Sequence, residues 1–349
     1  MAELTNITDP PKLSICIATY NRGKFIGETL DSILPQLKPG VELLVVDGAS
    51  SDNTPEVMAQ YINSHPEIRY FRESENSGVD RDYDKAVEYA RGEFCWLMSD
   101  DDLLRQDAVR TVLSALENGS DLFVVNAEIR NADLSNLLLE RRLNVVSDRQ
   151  YGAVEREQFF TDAANYLSFI GCVVIRRSFW LSRERKSYYG SLFIHVGVIF
   201  QEPALTVATV LAEPLITIRD GNATWSARTF EVWGIKWPDL IWSFPDFPDE
   251  AKQAICNREQ WKGFKFLFYL RAMGAYSLQA FRKHLALRAK GWNRLKAYLV
   301  AVFPGTLANL AVVFYYVALR RAARVELYDV LLSSHSSLLS RLLAKAAKK

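Results

Sequence analysis

The sequence has few of the residues that build disulfide frameworks and zinc sites. Its 349 residues include four cysteines, which stand apart from one another and from histidine: Cys16, Cys95, Cys172 and Cys256. No CxxC pair is present, so we expect buried thiols in a reducing compartment. The first eleven residues contain acids and prolines but no apolar stretch, which argues against a secretory signal.

Acidic residues are scarce in the last quarter of the chain. The net charge is +1, from 42 Lys and Arg against 41 Asp and Glu. Residues 262–349 contain 16 Lys and Arg but only Glu326 and Asp329 as acids, a net +14, which leaves the remainder at −13. The 24% of charged and 49% of hydrophobic residues exclude a disordered or collagen-like chain. A basic tail predicts an anionic partner, either a membrane surface or nucleic acid.

Strand and helix patterns alternate in the first half of the chain. Apolar, β-rich runs occupy residues 13–18, 41–46, 68–71 and 94–98, and amphipathic stretches occupy 24–37, 54–63, 80–90 and 106–116. This alternation predicts an α/β fold with a Rossmann-like, mostly parallel sheet and helices on both faces. Ligands of such sheets bind at the carboxyl ends of the strands. Helical patterns dominate from about residue 229 onward.

Polar side chains directly follow three of these runs. They are Thr19, Tyr20, Asn21 and Arg22 after the first, Asp47 after the second, and Asp100, Asp101 and Asp102 after the fourth. Tyr20 suits stacking on a nucleobase, while Thr19 and Asn21 suit hydrogen bonds to a ribose or base edge. A plain strand–helix turn is the alternative. Asp47 suits a pyrimidine N–H or a ribose hydroxyl.

Three adjacent carboxylates repel one another, and removing them from water costs several kcal/mol each. A divalent cation would offset this cost. Oxygen ligands suit Mg²⁺ or Mn²⁺, which are usually shared with substrate phosphates. A solvated acidic cluster that caps a helix is the alternative.

The order of the motifs ATYNR, VVDGASSDNT, ARGEF and WLMSDDD resembles family 2 glycosyltransferases of the A-type fold over about residues 12–225. Residues 77–102 and 169–180 look most like abequosyltransferase-type members, which attach a dideoxysugar during bacterial O-antigen synthesis. The resemblance implies a nucleotide-diphosphate-sugar donor and a divalent cation, Mg²⁺ or Mn²⁺.

The resemblance also implies a domain organisation. A catalytic domain would occupy residues 1–228, with a nucleotide-sugar half at about 12–128 and an acceptor half at about 129–228. Residues 229–349 would form a helical, basic, membrane-associating region.

Individual residues receive roles from the same resemblance. Donor binding falls on Thr19, Tyr20, Asn21, Arg22, Asp47, Arg81, Asp100, Arg219 and Trp225, and metal binding falls on Asp100, Asp101 and Asp102. The sequence departs from the family where Gly48 follows Asp47 in place of a second Asp, and where Ser99 begins the acidic motif. Which carboxylate ligates the metal therefore stays open.

The acceptor half of this family normally supplies a general base. His195 stands where relatives often carry an Asp, and a histidine can accept a hydroxyl proton near neutral pH. A metal-ligand role or a buried structural role for His195 are the alternatives. Glu202 is the reserve base, unless it is a helix-surface acid. Arg219 would stabilise a departing diphosphate or else pair with Asp220.

Residues 297–319 form the longest uncharged stretch, of 23 residues. Their length would span a bilayer, but Pro304–Gly305 divides them. Basic residues flank the stretch on both sides: Arg294, Lys296, Arg320, Arg321 and Arg324. Residues 282–296 add six Lys and Arg and no acid. We expect an interfacial or re-entrant helical hairpin, with a transmembrane helix or a soluble core pair as alternatives.

Together these features predict a metal-dependent glycosyltransferase, and the family resemblance implies that it inverts the anomeric configuration. It would move a sugar, for example the dideoxyhexose abequose, to a hydroxyl of a lipid-linked oligosaccharide on undecaprenyl diphosphate during O-antigen synthesis. We expect a peripheral or monotopic protein on the anionic cytoplasmic face of the bacterial inner membrane, with no nucleic acid partner. A sugar nucleotidyltransferase and a non-catalytic, membrane-bound carbohydrate-binding protein are the alternatives.

Overall fold

The computed structural model describes residues 10–222, 228–320 and 323–346. The chain divides into two compact units. The first unit consists of Met1–Glu128 and Glu140–Ile218, and the second of Ile129–Leu139 and Arg219–Lys349. The expected boundary at residue 228 therefore falls inside the second unit, which also takes in the segment that follows Glu128.

The described residues contain one ten-stranded sheet. Its strands are β1 (Leu13–Thr19), β2 (Val41–Asp47), β3 (Arg69–Arg72), β4 (Phe94–Met98), β5 (Leu103–Leu104), β6 (Leu122–Arg130), β7 (Leu137–Leu139), β8 (Arg149–Gly152), β9 (Val173–Arg176) and β10 (Val207–Arg219). The strand order is β3-β2-β1-β4-β9-β6-β10-β5, with β7 paired to β6 and β8 paired to β10. Every residue of β1 and β4 is buried, which explains why both strands read as continuous apolar runs.

The α/β fold class is confirmed, but the sheet contains antiparallel as well as parallel pairs. Strand β1 runs parallel to β2 and β4, and β2 runs parallel to β3. The β4–β9, β9–β6, β10–β5 and β10–β8 pairs are antiparallel. An apolar run indicates burial on both faces, and a central antiparallel strand satisfies that condition as well as a parallel one. The sheet is therefore mixed rather than mostly parallel.

Within the described ranges, seven α-helices accompany these strands. They are α1 (Ile26–Ile33), α2 (Thr54–Ser64), α3 (Val79–Tyr89), α4 (Ala108–Ala115), α5 (Arg156–Leu167), α6 (Arg177–Leu181) and α7 (Ile194–Phe200). Helix α1 shows the expected amphipathic pattern, because it buries Ile26, Leu30 and Ile33 at helical spacing. Helix α3 differs, since it also buries three aspartates.

The second unit is helical in its described residues after β10. Its helices are α8 (Thr229–Glu231), α9 (Trp237–Ile241), α10 (Asp249–Ile255), α11 (Phe264–Ala272), α12 (Leu278–Ala280), α13 (Gly291–Val302), α14 (Gly305–Leu319), α15 (Arg324–Leu332) and α16 (Leu338–Ala346). One core cluster gathers side chains such as Phe230, Trp261 and Tyr276. A second cluster joins α11, α14, α15 and α16 through residues such as Val313 and Val330.

Among the described residues, no single helix is long and apolar enough to cross a membrane. Helices α13 and α14 meet that criterion only as a pair, and they are bent by 96° at the break between Val302 and Gly305.

Candidate active site at the carboxyl ends of the parallel strands

The parallel pairing brings the predicted site residues that follow β1, β2 and β4 to one edge of the sheet. Thr19, the last residue of β1, lies beside Asp47, the last residue of β2. Asp100 comes two residues after β4, the other neighbour of β1. Thr19, Asp47, Asp100 and Asp102 are buried, whereas Tyr20 is 42% exposed. The exposed ring of Tyr20 is thus available at this edge for stacking.

Asn21 links the turn after β1 to the loop after β2. Its backbone has a left-handed φ of 55°, a conformation that Asn tolerates better than most residues. Its N–H donates to Ser50 Oγ at 2.8 Å, and its Oδ1 accepts from the N–H groups of Ser51 at 2.8 Å and Asp52 at 3.3 Å. Asn21 therefore holds the two loops together, whereas the sequence predicted that it contacts the nucleotide-sugar donor.

Asp47 has internal partners for both carboxylate oxygens. Oδ1 accepts from the Ser50 N–H at 2.8 Å, and Oδ2 accepts from the Tyr70 hydroxyl at 2.6 Å. The Arg72 Nε lies 4.0 Å from Oδ2. Burial and the hydrogen bond to Asp47 raise the pKa of Tyr70, which keeps that hydroxyl protonated as a donor. In this arrangement Asp47 shapes the loop after β2, and its contact to a nucleoside stays a prediction, because each carboxylate oxygen can accept a second hydrogen bond.

Arg22 neutralises the aspartate cluster after β4. Its Nη2 lies 3.1 Å from Asp101 Oδ2, and its Nε lies 3.5 Å from Asp100 Oδ1. These three side chains are only 11–13% exposed. Burial, followed by the charge of Asp101, raises the pKa of Asp100, and Arg22 opposes that shift. Sequence reasoning missed this pairing because Arg22 and the aspartates are about eighty residues apart.

The predicted three-carboxylate metal site is not formed. Asp102 turns toward Ser99, whose hydroxyl donates to Asp102 Oδ2. The part of the chain that the structure describes contains no group of three or more Asp, Glu, His or Cys side chains arranged to hold a metal ion. Two carboxylates, Asp100 and Asp101, remain together, and such a pair suits a cation that takes its other ligands from a diphosphate.

Three further aspartates on α3 received no role from the sequence, although Asp84 stands where the family often has Asn. Asp80 accepts from the backbone N–H groups of Gly190, Leu192 and Ile194 at 2.8, 2.9 and 3.1 Å. It therefore fixes the start of α7. The available signal was the alternating pattern Asp80-Arg-Asp82-Tyr-Asp84 inside a predicted helix, because a helix cannot direct all three acids to one solvated face.

Asp84 and Asp82 have different surroundings on the same helix. Asp84 accepts from Trp180 Nε1 at 2.9 Å and pairs with Arg185 Nε at 2.7 Å. Asp82 accepts from the Ser77 hydroxyl at 3.2 Å, and its Oδ2 would lie 2.5 Å from a Cβ placed on Gly48. Burial raises the pKa of Asp82 to about 6. A carboxylate thus reaches the turn after β2 from α3.

The structure does not support His195 as the general base. The side chain is 1% exposed, and Nε2 donates to the Leu167 carbonyl at 2.6 Å. Nδ1 accepts no hydrogen bond from a described residue, and burial lowers the pKa of His195 to about 4. A neutral, enclosed imidazole matches the buried alternative. Every residue of α7 is buried, so the position of His195 near the start of this helix could not show from the sequence which way its ring points.

The remaining predicted residues lie in separate places. Glu202 comes after the end of α7, so it is not on a helix surface. Its side chain pairs with Arg156 and is about half exposed. The Arg81 guanidinium lies 5.1 Å from the ring centroid of Tyr189. In the second unit, Arg219 Nη1 donates to the Ala132 carbonyl at 2.8 Å. Trp225 lies outside the described residues.

The sheet topology and the acids at the ends of β2 and β4 define a class, the glycosyltransferases of the A-type fold. Solved structures bear this out. S. aureus TarS 1–349 in complex with UDP matches with a TM-score of 0.53 and 16% identity, over 97% of this chain and 91% of the other. The mannosyltransferase PcManGT from Pyrobaculum calidifontis, in complex with GDP-Man and Mn²⁺, matches with a TM-score of 0.51 and 16% identity, over 98% and 89%. At such identities these matches establish the fold alone.

Sequence comparison points to the same class. Residues 14–184, just under half of the chain, match the family described as Glycosyl transferase family 2. The abequosyltransferase RfbV of Salmonella typhimurium is 27% identical over 234 residues, which is 62% of this chain and 69% of RfbV. The chondroitin synthase of Escherichia coli is 29% identical over 134 residues, which is 38% of this chain but 19% of that enzyme. The resemblance noted from the motifs is thereby confirmed.

Proposed function

We propose that the protein transfers a sugar from a nucleotide-diphosphate donor to a hydroxyl of a lipid-linked oligosaccharide in O-antigen-type polysaccharide synthesis. The similarity to abequosyltransferase RfbV supports a dideoxyhexose such as abequose as the sugar. Family resemblance supports inversion at the anomeric carbon and an acceptor carried on undecaprenyl diphosphate.

The observation that carries the proposal is the Arg22–Asp100–Asp101 cluster at the end of β4. Its guanidinium is within 3.1–3.5 Å of two carboxylates that are almost nine-tenths buried. A guanidinium held in this way is suited to bind the diphosphate of a donor, because it matches phosphate oxygens and is always charged. Tyr20, exposed beside it, offers a flat face to the base.

A divalent cation fits the carboxylates of Asp100 and Asp101 but not that of Asp102. Asp100 and Asp101 supply oxygen ligands of the type that Mg²⁺ and Mn²⁺ prefer. Burial disfavours the negative charge of Asp100, and a cation would relieve that cost. When bound, such an ion would offset the charge of the leaving diphosphate. Asp102 stays with Ser99, and Arg22 stabilises the same region by binding the donor phosphates.

Donor binding provides the test. Thermal unfolding of the protein is measured with a panel of nucleoside diphosphates and their sugars, with Mn²⁺ or with EDTA. A bound donor raises the unfolding temperature, since saturation a hundredfold above Kd adds about 2.7 kcal/mol. Asp101→Asn is expected to remove the Mn²⁺-dependent part of the rise. Asp107→Asn is the matched control, because Asp107 is an exposed acid in the same unit and Asn accepts its left-handed backbone.

The products separate the proposal from its alternatives. A glycosyltransferase releases a nucleoside diphosphate only as acceptor is consumed. A nucleotidyltransferase would release pyrophosphate, and a carbohydrate-binding protein would release neither. An equal Mn²⁺-dependent shift in Asp101→Asn and in Asp107→Asn would contradict the assignment of the cluster to the donor.

A further inference from the structure

Helix α13 presents an apolar stripe to the solvent. Its inner face buries Ala297, Val300 and Ala301 in the core of the second unit. Its outer face carries Trp292, Leu295, Leu299 and Val302, which are 71%, 47%, 51% and 44% exposed. These four residues recur at intervals of three and four, so they lie along one side of the helix.

Helix α14 repeats the arrangement after the 96° bend. Leu307 and Phe314 are 54% and 60% exposed, on the side opposite to the buried Ala308 and Val312. The buried side is fixed by Asn309, which donates to the carbonyls of Ala272 at 3.2 Å and Val330 at 2.8 Å. A helix at a water-facing surface normally has a polar outer side, and α14 has no charged residue on either side.

Positive charge surrounds this outer surface. The sequence contains no acid between Glu259 and Glu326. Arg282, Lys290 and Arg294, which precede or belong to α13, are all exposed. Lys and Arg beside exposed Trp, Tyr and Leu are typical of segments that lie on anionic lipid. A second copy of this chain would instead bring two equally basic surfaces together, at a cost in repulsion.

We propose that the exposed stripes of α13 and α14, here called the α13–α14 apolar face, insert into one leaflet of an anionic lipid bilayer. The face is defined by Trp292, Leu295, Leu299, Val302, Leu307 and Phe314. The pair lies in the leaflet and does not cross it. Helix α14 has 15 residues. At 1.5 Å per residue it reaches ~22 Å, short of the ~30 Å hydrocarbon core. Its inner side is already bonded to protein through Asn309.

This inference goes beyond the proposed function, because binding to lipid requires neither donor nor acceptor. The test uses the full chain and sedimentation with phosphatidylcholine vesicles, with and without phosphatidylglycerol. The variant Leu295→Gln/Leu299→Gln/Phe314→Gln removes apolar surface at exposed positions and keeps good helix formers. Its control is Val146→Gln/Val154→Gln, since those valines of the first unit are 95% and 98% exposed.

We expect the wild type and the control to sediment with phosphatidylglycerol vesicles, and the triple variant to partition about tenfold or more weakly, as expected for three lost apolar insertions. Salt should weaken the binding without abolishing it, because the apolar part is not screened. Brominated lipid should quench tryptophan fluorescence in the wild type, and less in Trp292→Phe.

Three results would overturn the inference. The first is equal sedimentation of the triple variant and the wild type. The second is the absence of wild-type binding to either kind of vesicle. If the triple variant then abolishes a concentration-dependent dimer, the face is a contact between two copies of the chain. The third is complete release by salt, which would show that charge alone holds the protein and that the apolar face does not insert.

Discussion

Replacing His195 by glutamine separates a catalytic histidine from a buried one. Gln places its Nε2 where the imidazole Nε2 lies, so the 2.6 Å hydrogen bond to the Leu167 carbonyl has a replacement donor. Gln cannot take up a proton. A general base contributes about 10²–10⁴-fold to the rate, so its loss would be unmistakable. From the burial of His195 we expect the transfer rate of the variant to fall by less than about tenfold.

The same substitution should change how stability depends on pH. The pKa of His195 is lowered from 6.5 to about 4 in the folded protein, so folding favours the neutral ring. That contribution is fully present above pH 6.5 and is lost as pH falls toward 4. With these two pKa values, linkage gives a loss of about 2 kcal/mol by pH 5. The His195→Gln variant has no titrating group at this position, whereas all other titrating groups are the same in the two proteins.

Urea unfolding of both proteins at a series of pH values between 7.5 and 5 is the measurement. We expect the wild type to lose about 2 kcal/mol more than the variant over this range. Transfer rates of the two proteins are compared in parallel at pH 7.5. A fall of 10²–10⁴-fold in rate, together with identical pH dependence of stability, would show that His195 is a solvent-reaching base and that the reasoning from its burial is wrong.

Three other substitutions test how the structure holds its loops and helices. Asp80→Asn should destabilise the protein by about 2 kcal/mol in urea unfolding, because three backbone N–H groups lose a charged acceptor; Asp107→Asn should have little effect. Gly48→Ala should lower the free energy of unfolding by about 1–3 kcal/mol, because the new Cβ would come close to Asp82 Oδ2. Adding Asp82→Ala should remove most of that loss, so additive losses in the double variant would contradict this explanation. Asn309→Ala should cost about 2 kcal/mol, since it removes the side-chain donor to the Val330 carbonyl and leaves the Ala272 carbonyl with the Ser333 hydroxyl. Thr306→Ala on the exposed side of α14 is its control, and equal stability of those two proteins would refute the role of Asn309.

The amino-acid pattern was enough to locate the central strands and the acids at their carboxyl ends. The predicted runs at residues 13–18, 41–46 and 94–98 are β1, β2 and β4 to within a residue. This succeeded because strands buried on both faces must be apolar throughout, and because an acid directly after such a strand has to stand at its carboxyl end. The family motifs depend on the same two conditions, so they could be read without coordinates.

The groups that these side chains meet depend on the folded chain. Arg22 reaches Asp100 and Asp101 from another strand end, and Asp80 reaches the start of α7 across more than a hundred residues. His195 points inward because every side of α7 is covered. Helix α14 is uncharged on all sides, and apolar residues occur all round it, so its sequence could not tell the side held by Asn309 from the side left exposed. Apolar and polar residues recur along the chain with the period of the helix or strand, so the sequence reveals which residues are buried there. Contacts between residues distant in sequence produce no such pattern, and they form only when the chain folds.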